Sequence, residues 1–195
     1  MLKKRYLSKL YKSIIYKIFK LFYGEIYSIT KSNDSSDIKE KKIEIKKSKY
    51  KIFFCNNSTL YTDRVHDTAV IKDNRIIEGP SFQIRNNIYK ECKDNSVFEK
   101  GTPRFRKRLK GTVLSLLTGG GGNSNYWHWL FDVLPRLEIL RQAGKSLEDV
   151  DYFLFPSFDQ KFQSESLDKL NIPQGKRLSS KNYRHVKADQ IITTS

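Results

Sequence analysis

The chain has 195 residues, 37 Lys plus Arg against 21 Asp plus Glu, and a formal net charge of +16. Hydrophobic residues make up 38% and aromatic residues 13%, which excludes a wholly disordered chain and suits one sizeable domain with an extension. Two cysteines, Cys55 and Cys92, exclude a disulfide scaffold and fit a reducing compartment, and no Cys/His cluster has zinc spacing.

The charge is uneven. Residues 1–51 hold 15 Lys or Arg against five acidic residues, a net +10 of the +16. Within 1–30, the spacing of Leu7, Leu10, Tyr11, Ile14, Ile15, Ile18, Phe19 and Phe22 predicts a helix with one broad apolar face. Arg5, Lys9, Lys12, Lys17 and Lys20 fill the other side. Lys12, Lys17 and Lys20 interrupt the apolar run, so the helix is neither a transmembrane span nor a secretory signal. Two readings stay open: a helix lying on an anionic membrane surface, or a helix docked on its own domain with its lysines in water. Residues 31–48, rich in Ser, Asp and Lys, read as a solvated linker.

The body, 49–195, begins with a strand over 49–55. The stretch 67–85 reads as two strands around a turn at Asp73-Asn74, broken again by Gly79-Pro80. Residues 86–110 look irregular and end in a basic cluster, Arg104, Arg106, Lys107, Arg108 and Lys110, which reads as solvated surface. From 111 the pattern becomes strand (111–118), helix (126–142), strand (151–156), helix (157–171, capped by Ser157 or Asp159) and strand (186–194), which predicts a parallel sheet. Residues 111–131 carry no charge, but four glycines and Asn-Ser-Asn argue against a membrane span.

Between the first of these strands and its helix lie Gly119, Gly120, Gly121 and Gly122, followed by Asn123, Ser124 and Asn125. A strand, a glycine turn and a helix start suit an anion, although glycine runs also serve simply as tight turns. On the helix, Asn125, His128, Asp132 and Arg136 share one narrow stripe, and Tyr126, Leu130, Val133, Leu137 and Leu140 share another. The apolar stripe reads as core. The polar stripe reads either as an exposed face with an i,i+4 pair or as a site in which Asp132 orients the His128 imidazole. Pro135 is expected to end or kink the helix near Leu134 and so to displace Arg136.

The run GTVLSLLTGGGGNSNYWHWLFDVLPRLEIL resembles the signature of glycosyltransferase family 61, in its bacterial capsular-polysaccharide-type members. The sharpest part is N-Y-x-H-W-x-x-D-x-L-P-R, and the flanking segments YTDRVHDTAVIKDNRIIEGPSFQIR and DYFLFPS agree with it, so the resemblance runs from about Tyr61 to Ser195. It implies an α/β fold: the GT-B-like N-terminal Rossmann-like lobe, here with a preceding β-hairpin region and the N-terminal amphipathic helix. It implies inverting, metal-independent transfer from a nucleotide-sugar to a glycan or lipid-linked acceptor in capsular or surface polysaccharide synthesis, with no cofactor. The expected location is cytoplasmic, either free or peripheral on the inner membrane face. Because a GT-B enzyme needs two lobes, the chain is expected to lack the C-terminal donor lobe.

An inverting transfer needs a base and a positive setting for the leaving diphosphate. The resemblance assigns the base to His128 or Asp132, has Gly119 to Gly122 and Asn125 line the cleft, and has Arg136 fix the stripe or meet an anion. Asp63, His66 and Asp67 form a second polar cluster, ranked below the helix because Asp-rich turns are more often structural. Asp149-Val150-Asp151, a D-x-D, reads as two solvated carboxylates at a turn. The rival readings are a noncatalytic membrane-associated scaffold and a nucleic-acid-binding basic module. No nucleic acid is expected, for lack of a binding motif.

Overall fold

The apolar residues of the body alternate along each strand, and the alternation sorts them onto two faces of one sheet. The structure, a computed structural model, describes residues 2–85, 88–90 and 92–194, without the side chains of residues 2–9, 85 and 89. Arg5, Leu7 and Lys9 of the predicted helix faces therefore lie outside the described residues as side chains.

Helix α1 (Leu2–Tyr23) leads into strands β1 (Ser28–Thr30), β2 (Ile38–Ile45), β3 (Ser48–Asn56), β4 (Thr59–Thr62), β5 (Asp67–Lys72), β6 (Arg75–Ile77), β7 (Phe82–Arg85) and β8 (Ile88–Lys90). After a short α2 (Val97–Lys100) comes β9 (Lys107–Ser115). Helix α3 (Tyr126–His128), a π-helical turn (Trp129–Val133) and α4 (Pro135–Gln142) then form one helical stretch. Strand β10 (Tyr152–Phe155), helix α5 (Lys161–Lys169) and strands β11 (Arg177–Ser179) and β12 (His185–Thr194) complete the order.

The protein is a mixed α/β structure with one large sheet and few helices. Strands β12, β9, β10 and β11 run parallel in that spatial order. On the other side of β12 the sheet turns antiparallel, through β3 and β4. Strands β5, β6 and β7 extend it beyond β4, and β2 edges β3. In the parallel part, Leu114, Phe153, Phe155 and Ile192 face a core closed by Trp129, Val133, Leu140 and Leu167 of the helices. Val113, Leu154, Leu178 and Ile191 face the opposite way, into a core shared with Phe53, Leu60, Val70 and Val186. The curled antiparallel part thus covers the face that a second helix layer covers in a doubly wound sheet.

The curl has a local cause. Strands β3 and β4 lie end to end along the same edge of β12, interrupted at Asn57, whose φ is +48°. Beside them the β12–β9 register slips between Ala188 and Gln190, and β9 carries Gly111 at φ +90°. These irregularities form one row: the Asn57 N–H donates to the Asp189 carbonyl, and the Gly111 N–H donates to the Asp189 carboxylate. A Cβ on Gly111 would lie 2.0 Å from Asp151, so only glycine fits there. Bending all three strands at one level brings the loop after β4 against the turn after β9.

Several expectations are corrected. Residues 31–48 are not a solvated linker: Ile38–Ile45 pair with β3 along their whole length, with Ile38 and Ile43 buried. Its lysines belong to an exposed sheet edge, where charge blocks further pairing. The predicted helix over 1–30 stops at Tyr23, before Gly24 at φ +84°, and residues 28–30 pair with β6. Helix α5 is capped by Gln160 in a reciprocal box with Gln163, because the Ser157 hydroxyl and Asp159 bond each other and Asp159 pairs with Lys181. The Asp149-Val150-Asp151 run, by contrast, is structural as expected: both carboxylates are exposed, Asp149 accepting the Ser146 N–H within a turn and Asp151 the Thr112 N–H of β9. Cys55 and Cys92 are unbridged and buried, and burial pushes the Cys55 thiol up to about 12.

Candidate active site

The parallel strands place the site. In open α/β sheets, ligands sit beyond the carboxyl ends of the strands where the order reverses, and here β9 has its successor β10 on one side and β12 on the other. Beyond β9 come Thr118, Gly119 and a single 3-10 turn, Gly120–Asn123.

Each glycine of the turn meets a close neighbour. A Cβ would lie 2.7 Å from Ile84 at Gly119 and 3.2 Å from Val65 at Gly120. At Gly121 it would lie 2.5 Å from the His128 ring, and at Gly122 2.4 Å from the Thr118 hydroxyl. Gly119 also has φ +81°. The run is therefore explained by close packing: the turn is pressed between the loop after β4 and the helical stretch. The Gly120 N–H is already used, donating to the Val65 carbonyl at 2.9 Å.

Asn125 caps the helix that follows, its side-chain oxygen accepting the N–H groups of Trp127 and His128. One turn on, His128 Nδ1 lies 2.6 Å from Asp132 Oδ2, with both side chains about half exposed. Pro135 has no N–H to continue the helix. The preceding turn widens instead, and the Leu134 N–H reaches the Trp129 carbonyl at 3.0 Å. Arg136 remains beside Asp132 despite this: its Nε donates to the Asp132 carbonyl, and its Nη1 donates to the carbonyl and hydroxyl of Thr194 at the end of β12. These bonds tie the helical stretch to the end of β12.

The second polar cluster divides. Asp63 Oδ1 accepts the N–H groups of Val65, His66 and Asp67 at 2.7–2.9 Å, which shapes the loop. Burial pushes the Asp63 carboxyl up, but these three donors outweigh it and hold the group below its usual range. Asp67 is buried and accepts from Gln83 and Ser96. His66, 3.5 Å from Asp63 Oδ2, instead reaches the site.

A cavity of about 560 Å³ is lined by Val65, His66, Ile84, Thr118, Gly120, Gly121, His128 and Asp132. A second, of about 270 Å³, shares Ile84, Thr118 and Asp132 and extends along Tyr50, Phe82, Phe131 and Arg136. Together they make one cleft with a polar end carrying two imidazoles and an aromatic end. Of the residues singled out in the sequence, His128, Asp132, Gly120, Gly121, His66 and Arg136 line it. Asn125, Gly119, Gly122 and Asp63 support it from behind.

Three contributors were not legible in the sequence. Thr118 lines both halves, and among the described residues its hydroxyl is a buried side-chain polar atom with no hydrogen-bond partner. Phe131, at the aromatic end, stacks obliquely on the exposed Trp127 ring, ring centres 4.2 Å apart. Arg64, at φ +78°, donates from Nε to Ser180 and from Nη2 to Asn123 and the Pro156 carbonyl. It ties the turns beyond β9, β10 and β11 together. Its only sequence signal is its place beside Asp63.

Among the described residues, no group of three or more His, Cys, Asp or Glu side chains is arranged to hold a metal ion. No protein-family model, no curated protein and no solved structure matches this chain.

Proposed function

We propose that this cleft transfers a sugar from a nucleotide-sugar to a hydroxyl of a glycan or lipid-linked acceptor, with inversion, as the N-terminal lobe of a GT-B-type glycosyltransferase in surface polysaccharide synthesis. The observation that carries the reading is the His128–Asp132 pair, 2.6 Å apart, set on the glycine turn inside a cleft at the carboxyl end of a parallel sheet. The resemblance of residues 125–136 to family 61 supports the same chemistry.

With Nδ1 held by Asp132, Nε2 is the imidazole nitrogen that takes the proton. The acceptor hydroxyl oxygen bonds to the anomeric carbon as its proton passes to Nε2. The bond from that carbon to the diphosphate oxygen breaks, and the nucleoside diphosphate leaves with the electron pair. Asp132 stabilises the imidazolium that forms, as a buttressing carboxylate does in other His-dependent sites. No metal or cofactor is assigned a part. Dependence on a nucleotide-sugar places the reaction on the cytoplasmic side.

The test is nucleoside diphosphate release by the full-length protein, across a panel of nucleotide-sugars with oligosaccharide and lipid-linked acceptors. Acceptor-dependent release that His128→Ala and Asp132→Asn both abolish supports the reading. Unchanged release in both variants rejects it.

A further inference from the structure

The structure divides the broad apolar face of α1 in two. Ile15, Phe19 and Tyr23 are partly buried, and the last two turn toward the body of the protein. Phe19 meets Phe105 edge-on, ring centres 5.3 Å apart, and the Tyr23 hydroxyl accepts the Arg106 N–H at 3.0 Å. The Arg106 guanidinium lies 4.6 Å over the Tyr23 ring, and Tyr23 packs edge-on against His185 at 4.9 Å. Lys20 donates to the Phe98 carbonyl and pairs with Glu25.

The other stripe is not covered. Leu10, Ile14, Ile18 and Leu21 follow one another at helical spacing, Tyr11 and Phe22 border them, and all six are exposed, Leu21 by 86% and Phe22 by 69%. Docking of α1 carries this stripe up to Phe105, which is 80% exposed on the segment leading into β9. Basic side chains surround the apolar ones: Lys12 and Lys17 on α1, and Arg104, Lys107 and Arg108 around Phe105, are exposed. Residues 2–23 hold seven basic residues and no acidic one, and 104–110 hold five and none.

We propose that α1 and the 104–108 segment form one surface that binds an anionic phospholipid bilayer. Apolar patches of this kind mark interaction sites, and a basic rim around them selects a negatively charged partner. Among the described residues no helix is long and apolar enough to cross a membrane, so α1 lies in the plane of the interface. The aliphatic row Leu10, Ile14, Ile18 and Leu21 suits acyl chains rather than stacked bases, which call for aromatic platforms. This surface stands independently of the sugar-transfer reading.

The test is co-sedimentation of the full chain with vesicles of equimolar phosphatidylglycerol and phosphatidylcholine, against vesicles of phosphatidylcholine alone. Binding to the anionic vesicles only is expected. Neutralising Arg104 and Arg108 by glutamine weakens it roughly 25-fold, at about fivefold per charge near the surface. The charge-neutral variants Phe105→Ser and Leu21→Ser/Phe22→Ser, monitored by circular dichroism for retained fold, each lower it several-fold, which Coulombic attraction alone does not produce. Three results overturn the proposal: equal binding to both vesicle types, neutral variants that bind like wild type, or no vesicle binding together with a concentration-dependent dimer or salt-sensitive retention on single-stranded nucleic acid.

Discussion

Nδ1 of His128 and Oδ2 of Asp132 lie 2.6 Å apart across a π turn, Trp129–Val133, that contains Asp132 and ends just before Pro135. The pair is too exposed to matter for the fold, since such pairs contribute about 0.3–0.5 kcal/mol. Its effect is on orientation: Asp132 holds Nδ1 of the imidazole at the edge of the cavity, and the proposed transfer rests on that. Asp132→Asn is therefore expected to lower transfer by roughly 10²–10⁴-fold, the usual contribution of a positioned acid–base group. Thermal unfolding should change little. Activity and melting temperature, measured on one preparation, separate the two effects.

Gly121 offers a complementary test from the other side of the ring. Its φ is not in the left-handed region, so alanine meets no backbone strain there, but the added Cβ falls 2.5 Å from His128 Cδ2. Gly121→Ala should displace the imidazole, lowering kcat more than it lowers stability. Gly119→Ala differs, because φ is +81° and the Cβ meets Ile84. It should cost about 1–2 kcal/mol of stability from left-handed strain alone. Urea denaturation and transfer rates together distinguish the two glycines.

Strands β3, β10 and β12 form within a residue or two of where the sequence places them, because each holds a short apolar run; β9 was legible only in its apolar half, since it begins at Lys107 in the basic stretch read as irregular and ends at Ser115. The turn at Asp73-Asn74 was legible for the same local reason, and both residues take positive φ. Strand β2 was not, since its two buried residues, Ile38 and Ile43, enter opposite cores at a spacing with no strand alternation, and the lysines between them imitate a solvated linker. The π turn was hidden because helical periodicity assumes a constant 3.6 residues per turn. In the site, the helix stripe could be read from spacing alone. The placing of His66 and His128 on one cavity could not, because it follows from the bend through Asn57, Asp189 and Gly111, which belongs to the sheet and not to any one segment.

Arg64 is a positioning residue, and its removal should show as much. It holds Asn123, Ser180 and the Pro156 carbonyl at once, and charged hydrogen bonds of this kind contribute about 1.5–3 kcal/mol when lost from a partly buried site. Arg64→Ala should lower stability by about 2 kcal/mol and loosen the glycine turn. Arg64→Lys should not rescue it, because a single ammonium cannot reproduce the planar fork of the guanidinium. If lysine restores both stability and activity, charge rather than geometry is what the position supplies.

His185 gives the fold a pH dependence of known sign. The ring is buried between Tyr23 and Tyr61, with Nδ1–H donating to the Arg104 carbonyl at 2.9 Å. Burial lowers its pKa from 6.5 to about 4, against the opposing effect of that hydrogen bond. The folded state thus keeps the neutral imidazole at pH values where the unfolded chain already binds a proton. Stability is fully present above about 6.5 and is lost as the pH falls toward about 4, by on the order of 3 kcal/mol in all. Asp63, held below its ordinary 3.8, loses its contribution only in more acid solution, so the two windows separate. Denaturant unfolding at a series of pH values between these limits should show the slope, and His185→Gln should flatten it. A variant that keeps the full slope would assign the acid sensitivity elsewhere.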